Sequence, residues 1–422
     1  MKLKHVGEIR DPVLGYVKMT EVERELIDSP FVQRLRRVHQ LAGSYLVYPG
    51  AVHTRFEHVI GTMHVAGEIA DSLSDELEMD EDQVQEIRLA ALLHDVGHGP
   101  FSHTYEEVLA EVGDVTHEDI SQRIVVETEV KDILRRNGHS PKKLRAMCVG
   151  RDNASPPFVN EIISGGLSAD IMDYLPRDSY FTGVEYGIVD VQRIVDSLHV
   201  AGGHLALDDT AAHAFEALLL ARYQMFKAVY FHRTVRAAEL MLVHSMQLAD
   251  EFLGLTDLED LESYLELTDE IVLQRLIALK ATTRSLRKAR DLALNFRNRR
   301  LVKCVYENLV QRETGALSQL LANSRVRRQV AERLADSTGV DSMSIYVDVP
   351  TTPSVPNTYT KEPPTSVRLL KPGGSKWSEK IVPLSDLPLV GSIAGFMNML
   401  RVYTDEGDRR RVRAAAERLL EV

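Results

Sequence analysis

The sequence predicts a mainly α-helical protein that ends in a small α+β unit. Three observations predict it: apolar residues recur at helical spacing through most of the chain, Gly and Pro punctuate those runs, and composition shifts near residue 340 toward short β-type runs. Residues 1–18 read as a short strand or extended arm, Val6 to Ile9, followed by the turn DPVLGY. From Thr20, TEVERELIDSPFVQRLRRVHQL reads as two short helices around Ser29-Pro30, with Pro30 in a favoured first-turn position. Tyr45–Gly50 reads as extended and closes in a Pro-Gly turn. Between Thr54 and Leu77, the residues Val59, Met63, Ala66, Ile69 and Ala70 keep to one helix face, which places His58 near the start of a long helix with a buried side. The next helix, Glu81–His98, is stopped by Gly97, Gly99 and Pro100, and that stop gathers His98 and His103 around a helix end. Residues 116–150 continue as helices and 153–158 form a loop. Asp170 follows a Gly-Gly turn, and its helix is bent or interrupted at Pro176. Residues 211–253 read as one long apolar-striped helix, and a helical section rich in Leu, Arg and Glu covers about 256–337. Residues 342–350, 365–370 and 378–384 have strand content, 351–365 read as a Pro/Thr-rich loop, and a helix from Arg409 closes the chain. The expected organisation is a core over 1–250, a helical extension over 251–340 and a small α+β unit over 341–422.

Composition sets the outer limits. At 422 residues and 47.4 kDa, with 44% hydrophobic and 27% charged residues, the chain has the balance of a soluble globular protein of two or three packed units. It contains no charge-free apolar run of ~18 residues, and its start, MKLKHVGEIRDPVLGYV, breaks too early for a signal peptide, so a membrane role is not expected. Cys148 and Cys304 make no spaced pair, which fits a reducing cytoplasm better than a disulfide scaffold. A formal net charge of −12 weighs against nonspecific nucleic-acid binding, but leaves room for an anionic nucleotide in a local cationic pocket. The basic clusters at 34–37, 297–300, 325–328 and 409–411 read as solvated helix faces or ion-pair partners; the first adjoins Gln40.

One constellation carries chemistry. His58, the doublet His94-Asp95 and Asp170 offer two imidazoles and two carboxylates. Neighbours on a helix point about 100° apart, so the doublet can share one ion only if that ion lies beside the helix, with His58 and Asp170 completing the set from other elements. A mixed N/O set suits Fe, Mn, Zn or Ni better than Ca or a structural thiolate zinc, and four protein ligands leave positions open for water and substrate. Of 15 histidines, eight fall between residues 39 and 117. Several lie in apolar segments where an imidazole needs a partner.

Those residues also carry a family resemblance. The blocks SPFVQRLRRVHQLAGSYLVYPGAVHTRFEHVIGTMHVAG (29–67), LLHDVGHGPFSH (92–103), THE (116–118) and ADIMDYLPRDSYFTGV (169–184) resemble the HD-domain phosphohydrolases. Within that superfamily they are similar to the deoxynucleoside triphosphate triphosphohydrolase branch, covering roughly residues 1–245. The resemblance implies an HD-domain helical core and a divalent metal (Fe, Mn, Zn, Ni or Mg) held by His58, His94, Asp95 and Asp170. It implies proton handling by His103, His117 and Glu106 with His98 close by, and Glu118 beside His117 could orient that imidazole. Arg55 and Arg222 would touch phosphates, Gln40 and Leu41 the sugar, and Tyr174 and Asp178 match further pocket positions. Where mammalian members carry a lysine after the metal aspartate, this chain has Ile171.

The expected activity is hydrolysis of a dNTP to deoxynucleoside and triphosphate. An activating nucleotide and a homodimer or homotetramer are expected on the resemblance alone. Other HD phosphohydrolase substrates remain alternatives, namely nucleoside monophosphates, cyclic nucleotides or alarmones. So does a nucleotide- or nucleic-acid-binding protein with slow turnover.

Overall fold

The structure, a computed structural model, describes residues 3–113, 115–310, 323–353, 366–373, 376–387, 389–390 and 396–420. Its N-terminus is a hairpin of β1 (Gly7–Asp11) and β2 (Gly15–Met19), paired antiparallel from Gly7↔Met19 to Asp11↔Gly15. Helices α1 (Glu21–Ile27) and α2 (Pro30–Arg34) follow, divided at Ser29-Pro30 as expected, and α1 opens on a capping box between Thr20 and Glu23. Helix α3 (Arg55–Leu77) starts directly after a bridge between His39 and Thr54, so Arg55 and His58 sit in its first turn. It packs against α4 (Glu81–Leu93) and, further along the chain, against α10. Between α4 and α10 run the short helices α5 (His103–Leu109), α6 (His117–Glu127), α7 (Glu129–Arg136), α8 (Pro141–Met147) and α9 (Pro157–Ile163). Helix α10 (Ala169–Thr182) continues through Pro176.

After α11 (Val191–Val195) comes a hairpin of β3 (Leu198–Ala201) and β4 (His204–Asp208), then α12 (Ala212–Met225) and α13 (Arg233–Leu253). Next come α14 (Leu261–Leu265), α15 (Asp269–Ile277) and α16 (Arg284–Arg297), the last packed on α13. Beyond it lie β5 (Lys303–Val310), α17 (Ser324–Thr338), β6 (Ile345–Asp348), β7 (Thr351–Pro353), β8 (Ser366–Gly373), β9 (Lys376–Pro383), β10 (Phe396–Thr404) and α18 (Arg409–Leu420). Strand β10 lies between β5 and β6, both antiparallel to it, and also pairs with β7. Strand β8 joins β4 in parallel at Leu207↔Leu369, forming the sheet β3-β4-β8-β9. A continuous apolar core runs from Val17 to Tyr403, and a smaller one around Leu334, Ile345, Val402 and Val412 lies under α17 and α18. Among the described residues, no helix is long and apolar enough to cross a membrane.

The mainly helical class stands, while several local expectations are corrected. Tyr45–Gly50 is not extended. A 3₁₀ turn spans Ser44–Leu46, and Tyr48 is tied by its hydroxyl to the Ala228 carbonyl at 2.7 Å, so tertiary contact overrides the local pattern. The expected single helix over 211–253 is broken by a wide π turn at Phe226–Tyr230, where Arg401 takes the Phe231 carbonyl at 2.6 Å. The Gly202-Gly203 turn with positive φ marks the β3–β4 hairpin, a signal passed over in the sequence. Strand β5 lies inside the section read as helical, and β10 was likewise unforeseen. Most of the expected Pro/Thr-rich loop, residues 354–365, lies outside the described residues.

One contact fixes the helix packing beneath the site. A Cβ on Gly61 in α3 would stand 1.9 Å from Asp173 Oδ1 and 2.4 Å from Arg177 Nη2 on α10. Gly61→Ala therefore forces the two helices apart and lowers stability by about 1–3 kcal/mol or more. Thermal unfolding measures this as a lowered midpoint, and an unchanged midpoint would contradict the packing.

Candidate metal centre

The centre is built where three helix ends meet. Helix α4 stops at Leu93, earlier than expected, because the His94 imidazole donates from Nδ1 to the Ala91 carbonyl at 2.8 Å and Ser121 Oγ donates to the His94 carbonyl at 2.9 Å. The doublet thus leaves the regular helix and enters a turn. Gly97 lets α6 close on that turn: a Cβ there would lie 2.2 Å from the His117 carbonyl oxygen and 2.3 Å from the Ser121 nitrogen. This approach brings His117, the first residue of α6, to the doublet.

His58 Nδ1 lies 2.8 Å from Asp173 Oδ2, so the ring presents Nε2 to Asp170 Oδ1 at 3.2 Å and Asp95 Oδ2 at 3.5 Å. His94 Nε2 is 3.3 Å from Asp95 Oδ1 and 3.9 Å from Asp170 Oδ1. Two nitrogen lone pairs and two carboxylates therefore converge, and His94 Nε2 is buried without a hydrogen-bond partner among the described residues. Ligands about 2.0–2.2 Å from a divalent ion stand roughly 3.0–3.5 Å from one another, so these separations fit an ion among the four groups. Burial opposes charge on His58, but the hydrogen-bonded Asp170 and Asp173 and the nearby Asp95 outweigh it and raise His58 to about 10. In other words, the cluster calls for a cation, which a proton or a metal can supply. Behind it, Asp173 is held down to about 2: burial raises it, but the doubly bonded Arg177 and His58 dominate.

A second group of donors adjoins the first. His98, His103, Glu106 and His117 offer ligand-type atoms all within 4.8 Å of one another. Glu106 bridges His103 Nδ1 at 2.7 Å and His117 Nδ1, with which it makes a close hydrogen bond. Burial opposes charge on His117, but Glu106 outweighs it and raises the imidazole to about 9. His98, stacked on His117 with centroids 3.9 Å apart, is pushed well down by burial and by the charges of Arg55 and His117. Both of its ring nitrogens lack hydrogen-bond partners among the described residues. His117 thus takes its carboxylate from Glu106 rather than from Glu118, which pairs with Arg151 at 2.6 Å and is raised to about 6 by burial.

A cavity of about 1440 Å³ opens over both groups. Its wall includes His94, Asp95, His98, His103, His117, Glu118 and Asp170, with Gln40, Leu41, Arg55, Tyr174, Asp178 and Arg222 around them; His58 and Glu106 stand behind the wall. Arg55 donates from Nη1 to Asp95 Oδ2 at 2.6 Å and from Nε to Ser102 Oγ at 2.9 Å. Arg222 Nε donates to the Tyr174 hydroxyl at 3.2 Å. Asp178 accepts from the Tyr230 hydroxyl at 2.6 Å and lies 2.8 Å from His53 Nε2, so it orders the wall from behind. Asp173, Ser102, Tyr230 and His53 escaped sequence reasoning. Only Asp173 left a signal, three residues after Asp170 and four before Arg177 on one helix face.

A helical core with a His/Asp centre at the junction of α3, α4 and α10 defines the class of HD-type metal sites. The HD-domain profile matches residues 55–177 and that of the HD-associated region matches residues 189–369. The chain belongs to the HD-domain phosphohydrolase family, and it is similar to the deoxynucleoside triphosphate triphosphohydrolase branch. It is 34% identical to the uncharacterized protein YwfO of Bacillus subtilis over 73% of each chain. It is 31% identical to the deoxynucleoside triphosphate triphosphohydrolase SAMHD1 homolog of Dictyostelium discoideum over 72% of this chain. The chain spans 57%, 73% and 60% of the length of three curated relatives it matches. The crystal structure of a hypothetical protein from Aquifex aeolicus superposes with a TM-score of 0.76 at 30% identity, covering 97% of this chain and 99% of that one.

Because Asp173 orients His58, Asp173→Asn should weaken Mn²⁺ binding by about 10–100-fold. Titration of chelator-stripped protein with Mn²⁺ measures it, and an unchanged dissociation constant would show that the ring needs no such partner.

Proposed function

We propose that the chain is a metal-dependent hydrolase that converts dNTPs to deoxynucleoside and inorganic triphosphate. The observation that carries the reading is the convergence of His58, His94, Asp95 and Asp170 beside a proton-holding His117–Glu106 pair, at the foot of a cavity lined by Arg55 and Arg222. Similarity to the Dictyostelium protein, named as a dNTP triphosphohydrolase homolog, supports the choice of substrate.

A divalent ion held by those four residues would polarise a phosphoryl oxygen and acidify water. The remaining work falls to the chain's own groups. Arg55 and Arg222 bind and orient the phosphate oxygens. His117, raised to about 9, stays protonated near neutral pH and donates its proton to the departing 5′ oxygen. Glu106 holds that charge in place, and His103, half of the same bridge, stands by to exchange the proton with solvent. Gln40, whose side-chain oxygen is buried without a hydrogen-bond partner among the described residues, accepts from a sugar hydroxyl with Leu41 packed beside it. The dry wall of Tyr174, Asp178 and Tyr230 shapes the sugar end. The native metal, an activating nucleotide, assembly into a homodimer or homotetramer and a cytoplasmic location belong to this same reading.

Metal-reconstituted protein given each dNTP and each NTP, alone and in pairs, should release deoxynucleoside and triphosphate, resolved by ion-exchange chromatography. A requirement for pairs would assign an activating nucleotide. Asp170→Ala should remain folded, lose metal and lose turnover by at least about 10²-fold. Intact nucleotides throughout, or full activity in that variant, would overturn the proposal.

A further inference from the structure

Two consecutive residues of the HD turn hold positive-φ backbone conformations without being glycine: Phe101 at φ 61° and Ser102 at φ 54°. Such geometry is strained for a residue that carries a Cβ and persists only where the surroundings fix it. The fixing group is Asp269, from the other end of the sequence. It is the first residue of α15 and is 3% exposed, and its carboxylate serves the turn rather than its own helix. Asp269 Oδ1 accepts from the Phe101 backbone N–H at 2.6 Å, and Oδ2 accepts from the His39 backbone N–H at 3.0 Å and lies 2.7 Å from His39 Nδ1. One carboxylate therefore pins two segments that meet at the cavity. The link continues inward: Ser102 Oγ donates to the His39 carbonyl at 2.7 Å and accepts from Arg55 Nε at 2.9 Å, and Arg55 Nη1 reaches Asp95 Oδ2 at 2.6 Å. Gln40 directly follows His39, and His103 lies two residues beyond Phe101.

We propose that Asp269 is a positioning residue for catalysis, acting through the Phe101–Ser102 turn to aim Arg55 at the reacting phosphate. The inference rests on the phosphohydrolase reading of the site but not on the dNTP as substrate. Burial opposes charge on His39, yet its bond to Asp269 raises the imidazole above its ordinary pKa. Asp269→Asn keeps size and shape but turns one of the two acceptor oxygens into a donor, so one pinned segment is released. Asp269 touches none of His58, His94, Asp95 or Asp170, so metal content should not change.

The test uses full-length, metal-loaded protein and bis(4-nitrophenyl) phosphate, a diester suited to a metal phosphohydrolase whatever its natural substrate. Asp269→Asn should lower kcat and kcat/KM together by about 10–100-fold at wild-type metal stoichiometry. Ser102→Ala should do the same through the next link, and the double variant should lose no more than the worse single one, because both act on the same arginine. Wild-type kcat in Asp269→Asn, losses that multiply in the double variant, or a metal-loaded wild type inert toward the diester would each overturn the proposal. A protein that cleaves the diester but no dNTP, with the coupling intact, would sink the dNTP reading and leave this one standing.

Discussion

The site hangs on the hydrogen bond between His58 and Asp173, and that bond is one link in a buried ionic chain. Asp173 is gripped by Arg177 through two hydrogen bonds of 2.7 and 2.8 Å, and Arg177 reaches on to Asp11 at 2.7 Å. Arg177 and Asp173 are fully buried, so each charge depends on the others for compensation. The chain crosses from the N-terminal hairpin through α10 to α3, and it explains why α3 carries glycine at position 61. It also fixes the tautomer of His58: with Nδ1–H committed to Asp173, only Nε2 can face Asp95 and Asp170.

Asp95 divides the cavity floor into two electrostatic compartments. On one side Oδ2 meets Arg55 and His58; on the other Oδ1 lies 3.3 Å from His94, 3.5 Å from His98 and 3.7 Å from His117. His94 faces Oδ1 but groups with His58 and Asp170 in the first compartment, whose anionic and lone-pair density exceeds what its protein cations balance, the property a divalent ion answers. In the second, Glu106 keeps one imidazole charged while burial keeps its stacked neighbour neutral. With His117 Nε2 only 3.7 Å from Asp95 Oδ1, keeping a proton donor and a cation site from neutralising each other requires such separate partners. The same division underlies the proposed roles of the two groups.

The convergence of His58, His94, Asp95 and Asp170 was legible because its signals are strong and local. RFEH opens a helix, the HD doublet directly follows the end of one, and Asp170 lies in the first turn of another. Helical periodicity likewise exposed α3 and α4, whose buried faces are continuous. What stayed hidden depended on distant partners. The break at Phe226–Tyr230 is set by aromatic packing and by Arg401, 170 residues on from the carbonyl it binds. Asp178 reads as a pocket acid but spends both oxygens on His53 and Tyr230, neither close in sequence. Asp269 sits in an ordinary-looking LTD at a helix start, and its partners lie 168 and 230 residues away. Strand β5 was masked by the helical character of the residues around it.

In the proposed reaction this centre directs water to the α-phosphorus of a dNTP, with the 5′ oxygen leaving on the nucleoside. Single-turnover hydrolysis in ¹⁸O-labelled water, read by mass spectrometry of both products, tests that claim most directly. Attack at phosphorus puts one label in the triphosphate and none in the deoxynucleoside. Label in the nucleoside 5′-hydroxyl, or products that divide as nucleoside monophosphate and pyrophosphate, would contradict it.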